Sequence, residues 1–235
     1  MLLLLNISLG VQGKDIHLAV ENSWPPFADV HGQGLSTSLV TRAFSEVGIT
    51  TKISVVPYAR ALSGTQAGIY DGCYNVTRQS STEAVFYFGQ TPLLKAIASF
   101  YYRKGDAFPY GSIEDIVDQT QIGLIRGYEY GDVYEQHKGR FVETRVGQQQ
   151  QLIAMLNMER FKAIIMFDRV AKFNVKNMEL KNGISKGFVN HTSDIYVAFS
   201  REFSQWEYYA KKLDEGIAIL KSKGLYKKIM EGEIK

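Results

Sequence analysis

Apolar and polar positions alternate along the chain between short strand-like runs and segments with helical spacing. Residues 15–21 are typical of a strand, and residues 35–48 repeat apolar side chains at a helical period that ends in a glycine. Two more strand-like runs, 52–56 and 72–77, are separated by a short helical segment at 58–67. This βαβ alternation predicts an open α/β sheet with helices on both faces.

The same alternation restarts after a loop at residues 104–112, which is rich in glycine, proline and aspartate. The second set of predicted strands covers 121–125, 144–146, 163–167 and 194–200, and its predicted helices cover 129–138, 149–158, 204–220 and 225–230. Two βαβ sets joined by extended segments predict two lobes.

The composition excludes some classes of protein but does not identify a function. The chain has 235 residues, of which 45% are hydrophobic and 22% are charged, as in ordinary soluble proteins. The net charge is +3 and the basic residues form no run, so we expect no nucleic-acid partner. The single cysteine, Cys73, cannot form an internal disulfide, and its apolar neighbours predict an inert buried thiol. No Cys/His spacing resembles a metal site, and we expect neither a metal nor a cofactor.

The first 13 residues resemble the end of a secretory signal sequence. Residues 1–13 read MLLLLNISLGVQG, which is apolar but has no positive start and no clean cleavage site. We interpret them as a partial signal peptide or a cloning remnant, and we expect a periplasmic protein. No other stretch approaches the roughly 20 apolar residues that span a bilayer.

Catalytic motifs are absent from the sequence. It contains no G-x-S-x-G, no P-loop, no G-x-G-x-x-G and no H-E-x-x-H. We therefore expect a binding protein rather than an enzyme.

Aromatic residues follow the first predicted strand in the sequence SWPPF, residues 23–27. In open α/β sheets, ligands bind beyond the carboxyl ends of the strands. The two prolines stiffen the loop, which would present Trp24 and Phe27 as stacking walls for a ligand. The alternative is that Trp24 only covers the end of the sheet.

Polar candidates follow three other predicted strands. They are Asn75, Thr77, Arg78, Arg126, Gly127, Tyr128 and Asp168. Free backbone N–H groups at a helix start after Gly127 would attract an anion such as a carboxylate. Asp168 would supply an anion for a ligand ammonium group. Together these residues place opposite charges at corresponding ends of several strands.

In their order and spacing, the motifs of the chain resemble those of the bacterial family-3 extracellular solute-binding proteins, the polar amino-acid receptors of ABC transporters. The motifs are SWPPF (23–27), GIYDGCYNVTR (68–78), FYFGQTPL (86–93), IGLIRGYEYGD (122–132), AIIMFDRVAKF (163–173), DIYVAFS (194–200) and LKSKGLYKKI (220–229). The resemblance implies a two-lobed periplasmic-binding-protein fold, with an open sheet flanked by helices in each lobe and two hinge strands between them. Lobe 1 would be discontinuous, 14–98 plus 195–235, and lobe 2 would be 99–194.

The resemblance also implies roles for individual positions. Trp24 matches the stacking aromatic, and Asn75 and Thr77 lie near polar strand-end positions. Gly127 and Tyr128 match the loop whose backbone holds a carboxylate. Asp168 matches the acid that pairs with an α-ammonium group.

Two positions depart from the family pattern. Thr82 stands where the family has the arginine that binds the ligand's α-carboxylate. Another arginine would have to replace it, and we rank Arg78 first, Arg60 second and Arg126 third. Glu129 is an acid at a position that is normally small and polar.

These expectations together favour a monomeric periplasmic receptor. It would capture a small polar, amino-acid-like ligand between its lobes and deliver it to an inner-membrane ABC transporter permease. One alternative is a ligand-sensing domain for a signalling partner. Another is a dehydratase-like enzyme of the same fold, with Glu129 or Asp168 as its acid.

Overall fold

A computed structural model of the protein describes residues 15–178 and 183–234. Its strands are β1 (Ile16–Glu21), β2 (Thr51–Val56), β3 (Gly72–Thr77), β4 (Phe86–Phe88), β5 (Leu94–Arg103), β6 (Gln121–Ile125), β7 (Val142–Val146), β8 (Ala163–Phe167) and β9 (Ile184–Ser200). Its helices are α1 (Leu35–Glu46), α2 (Tyr58–Gln66), α3 (Ser80–Glu83), α4 (Asp132–His137), α5 (Gln149–Asn157), α6 (Asp168–Asn177), α7 (Trp206–Ser222) and α8 (Leu225–Glu231), with a 3-10 turn at Lys138–Arg140. The predicted signal-peptide segment 1–13 lies outside the described residues.

The strands form a mixed sheet in the order β2-β1-β3-β9-β5-β8-β6-β7, and β4 pairs with β9. At one end β1 pairs in parallel with β2 and β3, and at the other β6 pairs in parallel with β7 and β8. Each parallel set forms the sheet of one lobe. The α/β, two-lobed fold predicted from the sequence is therefore confirmed.

Two long antiparallel strands join the lobes. Strand β9 pairs with β3 over Ile195–Phe199 and with β5 over Ile184–Ile195. Strand β5 in turn pairs with β8 over Ala98–Tyr101. The pairing of β5 with β9 shifts register on both sides of Ser99. The lobe limits at 98/99 and 194/195 stay a prediction.

Burial explains why the parallel strands were readily predicted. Every residue of β3 and of β8 is buried, because helices cover both faces of a parallel sheet. Outside the sheet of lobe 1, α1 packs against α7 at very short range. A Cβ at Gly216 would lie 2.0 Å from the carbonyl oxygen of Ala43, so only glycine permits this contact.

The joining strands were only partly predicted. Only 194–200 of β9 was expected, although the strand begins at Ile184. Strand β5, strand β4 and helices α3 and α6 were not expected. The first part of β9 carries polar residues such as Lys186 and Asn190, and most of it is half-buried or exposed, so it lacks an apolar run. The helix predicted at 129–138 begins only at Asp132, after Gly131 at a φ of 85°.

None of the helices in the described ranges is long and apolar enough to cross a bilayer.

Cys73 is predicted to resist thiol reagents while the protein is folded. The side chain is fully buried in β3, and burial raises the pKa of its thiol to about 12. A thiol-specific dye should label the protein slowly in buffer and completely in denaturant, as followed by mass spectrometry. Fast labelling in buffer would contradict the buried position of this strand.

Candidate functional site

The carboxyl ends of the lobe 1 strands face those of the lobe 2 strands, and the loops that follow them are in direct contact. The hydroxyl of Tyr128, in the loop after β6, donates a short hydrogen bond to the Glu21 carboxyl at the end of β1. Gln149, at the start of α5, donates a side-chain hydrogen bond to the same hydroxyl at 3.3 Å. All three side chains are buried.

In a second contact of the same kind, lobe 1 supplies the tyrosine and lobe 2 supplies the acid. Tyr58 begins α2 in lobe 1, and its hydroxyl donates a hydrogen bond of 2.7 Å to the Glu129 carboxyl of lobe 2. The rings of Tyr58 and Tyr128 meet edge to face with their centroids 4.8 Å apart. Two phenol–carboxyl pairs thus link the lobes.

Trp24 lies at this contact between the lobes. Its ring stacks on Phe27 at 4.3 Å and meets Phe167, the last residue of β8 in lobe 2, edge to face at 5.2 Å. Trp24 and Phe27 are each 1% exposed. The indole N–H of Trp24 has no hydrogen-bond partner among the described residues.

Asn75 lies at a β-bulge in β3. Its φ is 72°, a left-handed conformation that asparagine tolerates better than most residues. The side-chain amide is close enough to Glu21 to lower that carboxyl's pKa. It does not reach hydrogen-bond geometry, and neither amide atom has a partner in the described chain.

Burial controls the ionisation of the two acids. Desolvation raises the pKa of Glu21 from 4.5 to about 8, although the Tyr128 hydroxyl opposes the shift. Desolvation likewise raises the pKa of Glu129 to about 7, against the hydrogen bond from Tyr58. The other titratable groups that face the two acids are Cys73, Tyr74, Tyr130, Glu135 and Arg145.

Two cavities lie between the lobes. One of about 60 Å³ is lined by Glu21, Tyr58, Tyr128 and Arg126, among others, and has room for only a few water-sized groups. The other, of about 480 Å³, opens beside the joining strands and is lined by residues that include Thr77 and Arg78. Across this larger cavity Ser80 donates a hydrogen bond to Asp132 at 3.0 Å.

Gly127 allows the loop after β6 to approach lobe 1. Its φ is 85°, and an added Cβ would lie 3.0 Å from the Cβ of Ala59 in α2. A larger residue would therefore be strained by the backbone and would push the two lobes apart.

The three candidate arginines occupy different surroundings, and all are exposed. Arg78 forms an ion pair with Glu83 at 2.6 Å and lines the larger cavity. Arg126 lines the smaller cavity. Arg60 lines neither of these two cavities. Their ranking stays a prediction.

Asp168 begins α6 and already has two partners. It accepts hydrogen bonds from the Tyr101 hydroxyl at 2.9 Å and from the Lys186 ammonium at 2.6 Å. A ligand ammonium would have to compete with Lys186. Thr82, in place of the family's arginine, is buried, and its hydroxyl donates to the backbone oxygen of Thr77 at 2.8 Å.

The structure thus gathers part of the predicted set. Trp24, Phe27, Asn75, Arg126, Gly127 and Tyr128 lie at or beside the contact between the lobes. Thr77 and Arg78 line the larger cavity, and Arg60 and Asp168 line neither cavity. Sequence reasoning missed Glu21, Tyr58 and Gln149. Glu21 is the last residue of the first strand, and this position at a strand end was the available signal.

No group of three or more His, Cys, Asp or Glu side chains within residues 15–178 and 183–234 could hold a metal ion.

Sequence comparisons give no match: no family model matches the chain, and a search of curated proteins found none. Comparison with solved structures is more informative. The fold is similar to that of a variant of ArgBP from T. maritima, with a TM-score of 0.78 and 17% identity over 93% of this chain and 94% of that one. It is also similar to the amino acid ABC transporter substrate-binding protein AbpA from Streptococcus pneumoniae bound to L-arginine, with a TM-score of 0.76 and 22% identity over 93% of each chain.

A signalling protein has the same fold. A histidine kinase sensor domain with similarity to periplasmic binding proteins matches with a TM-score of 0.78 and 18% identity, over 94% of this chain and 96% of that one. These similarities confirm the predicted resemblance at the level of the fold, which is that of the amino-acid-binding proteins of ABC transporters. In all, 1320 solved chains match, so the fold alone does not identify a ligand.

The two buried carboxyls predict that the protein loses stability as the pH rises from about 6.5 to about 8. Glu129 and Glu21 keep protons in the folded state up to about pH 7 and pH 8, whereas the unfolded chain loses them near 4.5. Their stabilisation is complete below pH 4.5 and is lost as the pH passes the two raised values. His191 changes the stability in the opposite direction, because burial lowers its pKa from 6.5 to about 4. This contribution varies with pH only below about 6.5.

The prediction is tested by measuring the melting temperature at several pH values between about 6.5 and about 8. That of the wild type should fall, whereas that of the double variant Glu21→Gln/Glu129→Gln should stay nearly constant because glutamine does not titrate. Glu207→Gln, an exposed substitution on α7, should keep the wild-type slope. A flat wild-type curve would mean that water reaches both carboxyls in solution and that the lobe contact is not closed.

Proposed function

We propose that the protein is a solute-binding receptor that holds a small polar ligand between its two lobes. The observation that carries the proposal is the meeting of Glu21, Tyr58, Tyr128 and Glu129 from opposite lobes in one buried contact. It lies at the carboxyl ends of the strands, where open α/β folds bind ligands. The fold shared with amino-acid-binding proteins supports the same function.

Ligand binding requires the lobes to separate. The cavity of about 60 Å³ beside Glu21 is too small for an amino acid, and the Tyr58 and Tyr128 hydroxyls each occupy one oxygen of a carboxyl. Strands β5 and β9 connect the lobes and would act as the hinge. A ligand that contacts both lobes stabilises the closed form by its differential affinity for that form.

The individual contacts follow from the position of each side chain. Trp24 and Phe27 would form an apolar wall, and Asn75 and the backbone around Gly127 and Tyr128 would supply polar contacts. Thr77 and Arg78 would contact a ligand that extends into the cavity of about 480 Å³.

The ion pair between Asp168 and Lys186 would have to open before Asp168 could hold a ligand ammonium. Arg60 and Arg126 remain candidates for a ligand carboxylate.

Delivery to an ABC transporter permease is the role proposed for the loaded receptor. The ABC transporter substrate-binding protein AbpA supports it, since the two proteins share their fold along nearly their whole lengths. A periplasmic location and a monomeric state belong to the same proposal.

A sensor is the second candidate. The likeness to a histidine kinase sensor domain favours it, because the same closure can report a ligand to a signalling partner. In that case the ligand would bind at the same residues, and only the protein contacted by the closed form would differ.

A ligand screen tests the proposed function. Thermal-shift measurements against amino acids, polyamines, small acids and sugars should identify a compound that stabilises the fold by about 2.7 kcal/mol at 100 times its dissociation constant. That compound should also change the fluorescence of Trp24 in the variant Trp206→Phe, because Trp24 contacts both lobes.

The same compound added to the variant Trp24→Phe serves as the control. It should leave the fluorescence of Trp206 unchanged, because Trp206 stacks on Tyr87, a residue of β4 in lobe 1. If no compound of any class stabilises the protein, the receptor function is wrong.

A further inference from the structure

Within residues 15–178 and 183–234, neither of the two acids between the lobes forms an ion pair. Glu21 is 2% exposed and Glu129 is 8% exposed. The hydrogen bonds of their carboxyl groups come from the uncharged hydroxyls of Tyr128 and Tyr58. Burying an ionised carboxyl without a cation costs several kcal/mol, and each group avoids this cost by keeping its proton.

Among the described residues, the cation that acts on the Glu129 carboxyl is Arg145, and it is already engaged. Arg145 lowers the pKa of Glu129 only as the last of several influences. Its guanidinium forms an ion pair with Glu143 at 3.0 Å and donates to the backbone oxygen of Tyr128 at 3.3 Å. It therefore positions the loop after β6 and does not neutralise the acids.

Contact between the lobes would not by itself require acids at positions 21 and 129. A glutamine at either position could accept the same tyrosine hydrogen bond through its amide oxygen, with no charge to desolvate. A carboxyl is better only when a positive group arrives, because it can then ionise and accept charge-assisted hydrogen bonds.

Unpartnered polar atoms surround the acids and point to a ligand independently. Asn75 is 4% exposed, it faces Glu21, and both of its amide atoms lack partners in the described chain. The amide oxygen of Gln149, which is 2% exposed, also has none there. These two amide oxygens can each accept an N–H group of a ligand, as the carboxyl oxygens can.

An aromatic wall completes the surroundings. Tyr58 and Tyr128 bond the acids through their hydroxyls, and their rings meet edge to face at this point. Aromatic rings attract organic cations to their faces. Thr82 stands in place of the family's carboxylate-binding arginine, and its hydroxyl accepts a hydrogen bond from the Gln79 backbone N–H in the capping box of α3. Arg126 lines the smaller cavity but is exposed, whereas both acids are buried, so the site favours positive charge on its ligand.

We propose that the site between the lobes binds an organic cation, a primary ammonium or a guanidinium, whose N–H groups are accepted by Glu21 and Glu129 from opposite lobes. This inference rests on the proposed receptor function and specifies its ligand class. As the cation binds, each protonated carboxyl releases its proton to the solvent and becomes a carboxylate. The Tyr58 and Tyr128 hydroxyls then share these carboxylates with the ligand.

The test uses four probes in titration calorimetry and thermal shift at neutral pH. Agmatine and cadaverine carry cations without a carboxylate, succinate is an anion, and glucose is neutral. At least one of the two cations should bind at least about tenfold more tightly than succinate or glucose. Its apparent enthalpy should differ between phosphate and Tris buffers, because binding releases protons that the buffer takes up.

Variants then assign the binding to the two acids. Glu21→Gln and Glu129→Gln should each weaken cation binding by about 10- to 100-fold, the loss expected for one charge-assisted hydrogen bond. Glu207→Gln, on the surface of α7, should bind as the wild type does. Circular dichroism should confirm that each variant is folded, which the matched shape of glutamine favours.

Three outcomes would overturn the inference. If succinate or glucose binds between the lobes and the cations do not, the ligand class is wrong while the receptor function stands. If a cation binds equally well to both glutamine variants, it occupies another site. If none of the four probes binds and the broader screen also finds nothing, the receptor function and this inference are both wrong.

Discussion

The exclusion of water from two carboxyl groups is the constraint on which the arrangement of the lobes depends. Without a cation beside them, Glu21 and Glu129 are buried at the lowest cost while they are neutral, and each is held by a tyrosine from the opposite lobe. The same burial brings Trp24 against Phe167 and fixes the loop at Gly127 against α2. A change in the ionisation of the two acids would therefore act on the contact between the lobes and on its aromatic packing.

Much of the fold could be predicted because its parallel strands are short buried runs with clear ends. The predicted strands 121–125 and 163–167 match β6 and β8 residue for residue. The joining strands were harder to predict, because a strand that is half exposed, such as the first part of β9, needs no continuous apolar pattern. Its pairing partner β5 was missed entirely, since its role is set by contacts distant in sequence.

The candidate site shows the same limit. Trp24 and Tyr128 were found because each follows a predicted strand, and this position has a general physical meaning in α/β sheets. Glu21 and Tyr128 are 107 residues apart in the sequence, and Tyr58 and Glu129 are 71 apart. Nothing local indicates that an acid in one lobe will meet a phenol of the other, so the pairing required the folded structure.

The two register shifts in the β5–β9 ladder, one on each side of Ser99, have a mechanical consequence. A β-bulge interrupts the regular backbone hydrogen bonds and increases the local twist, so it is softer than the ladder around it. Rotation of one lobe against the other would be concentrated at these few peptide units. The parallel strands of each lobe would then move as a rigid body. The amplitude of opening would then depend on the backbone near Ser99, a residue whose buried hydroxyl has no partner in the described chain to stiffen it.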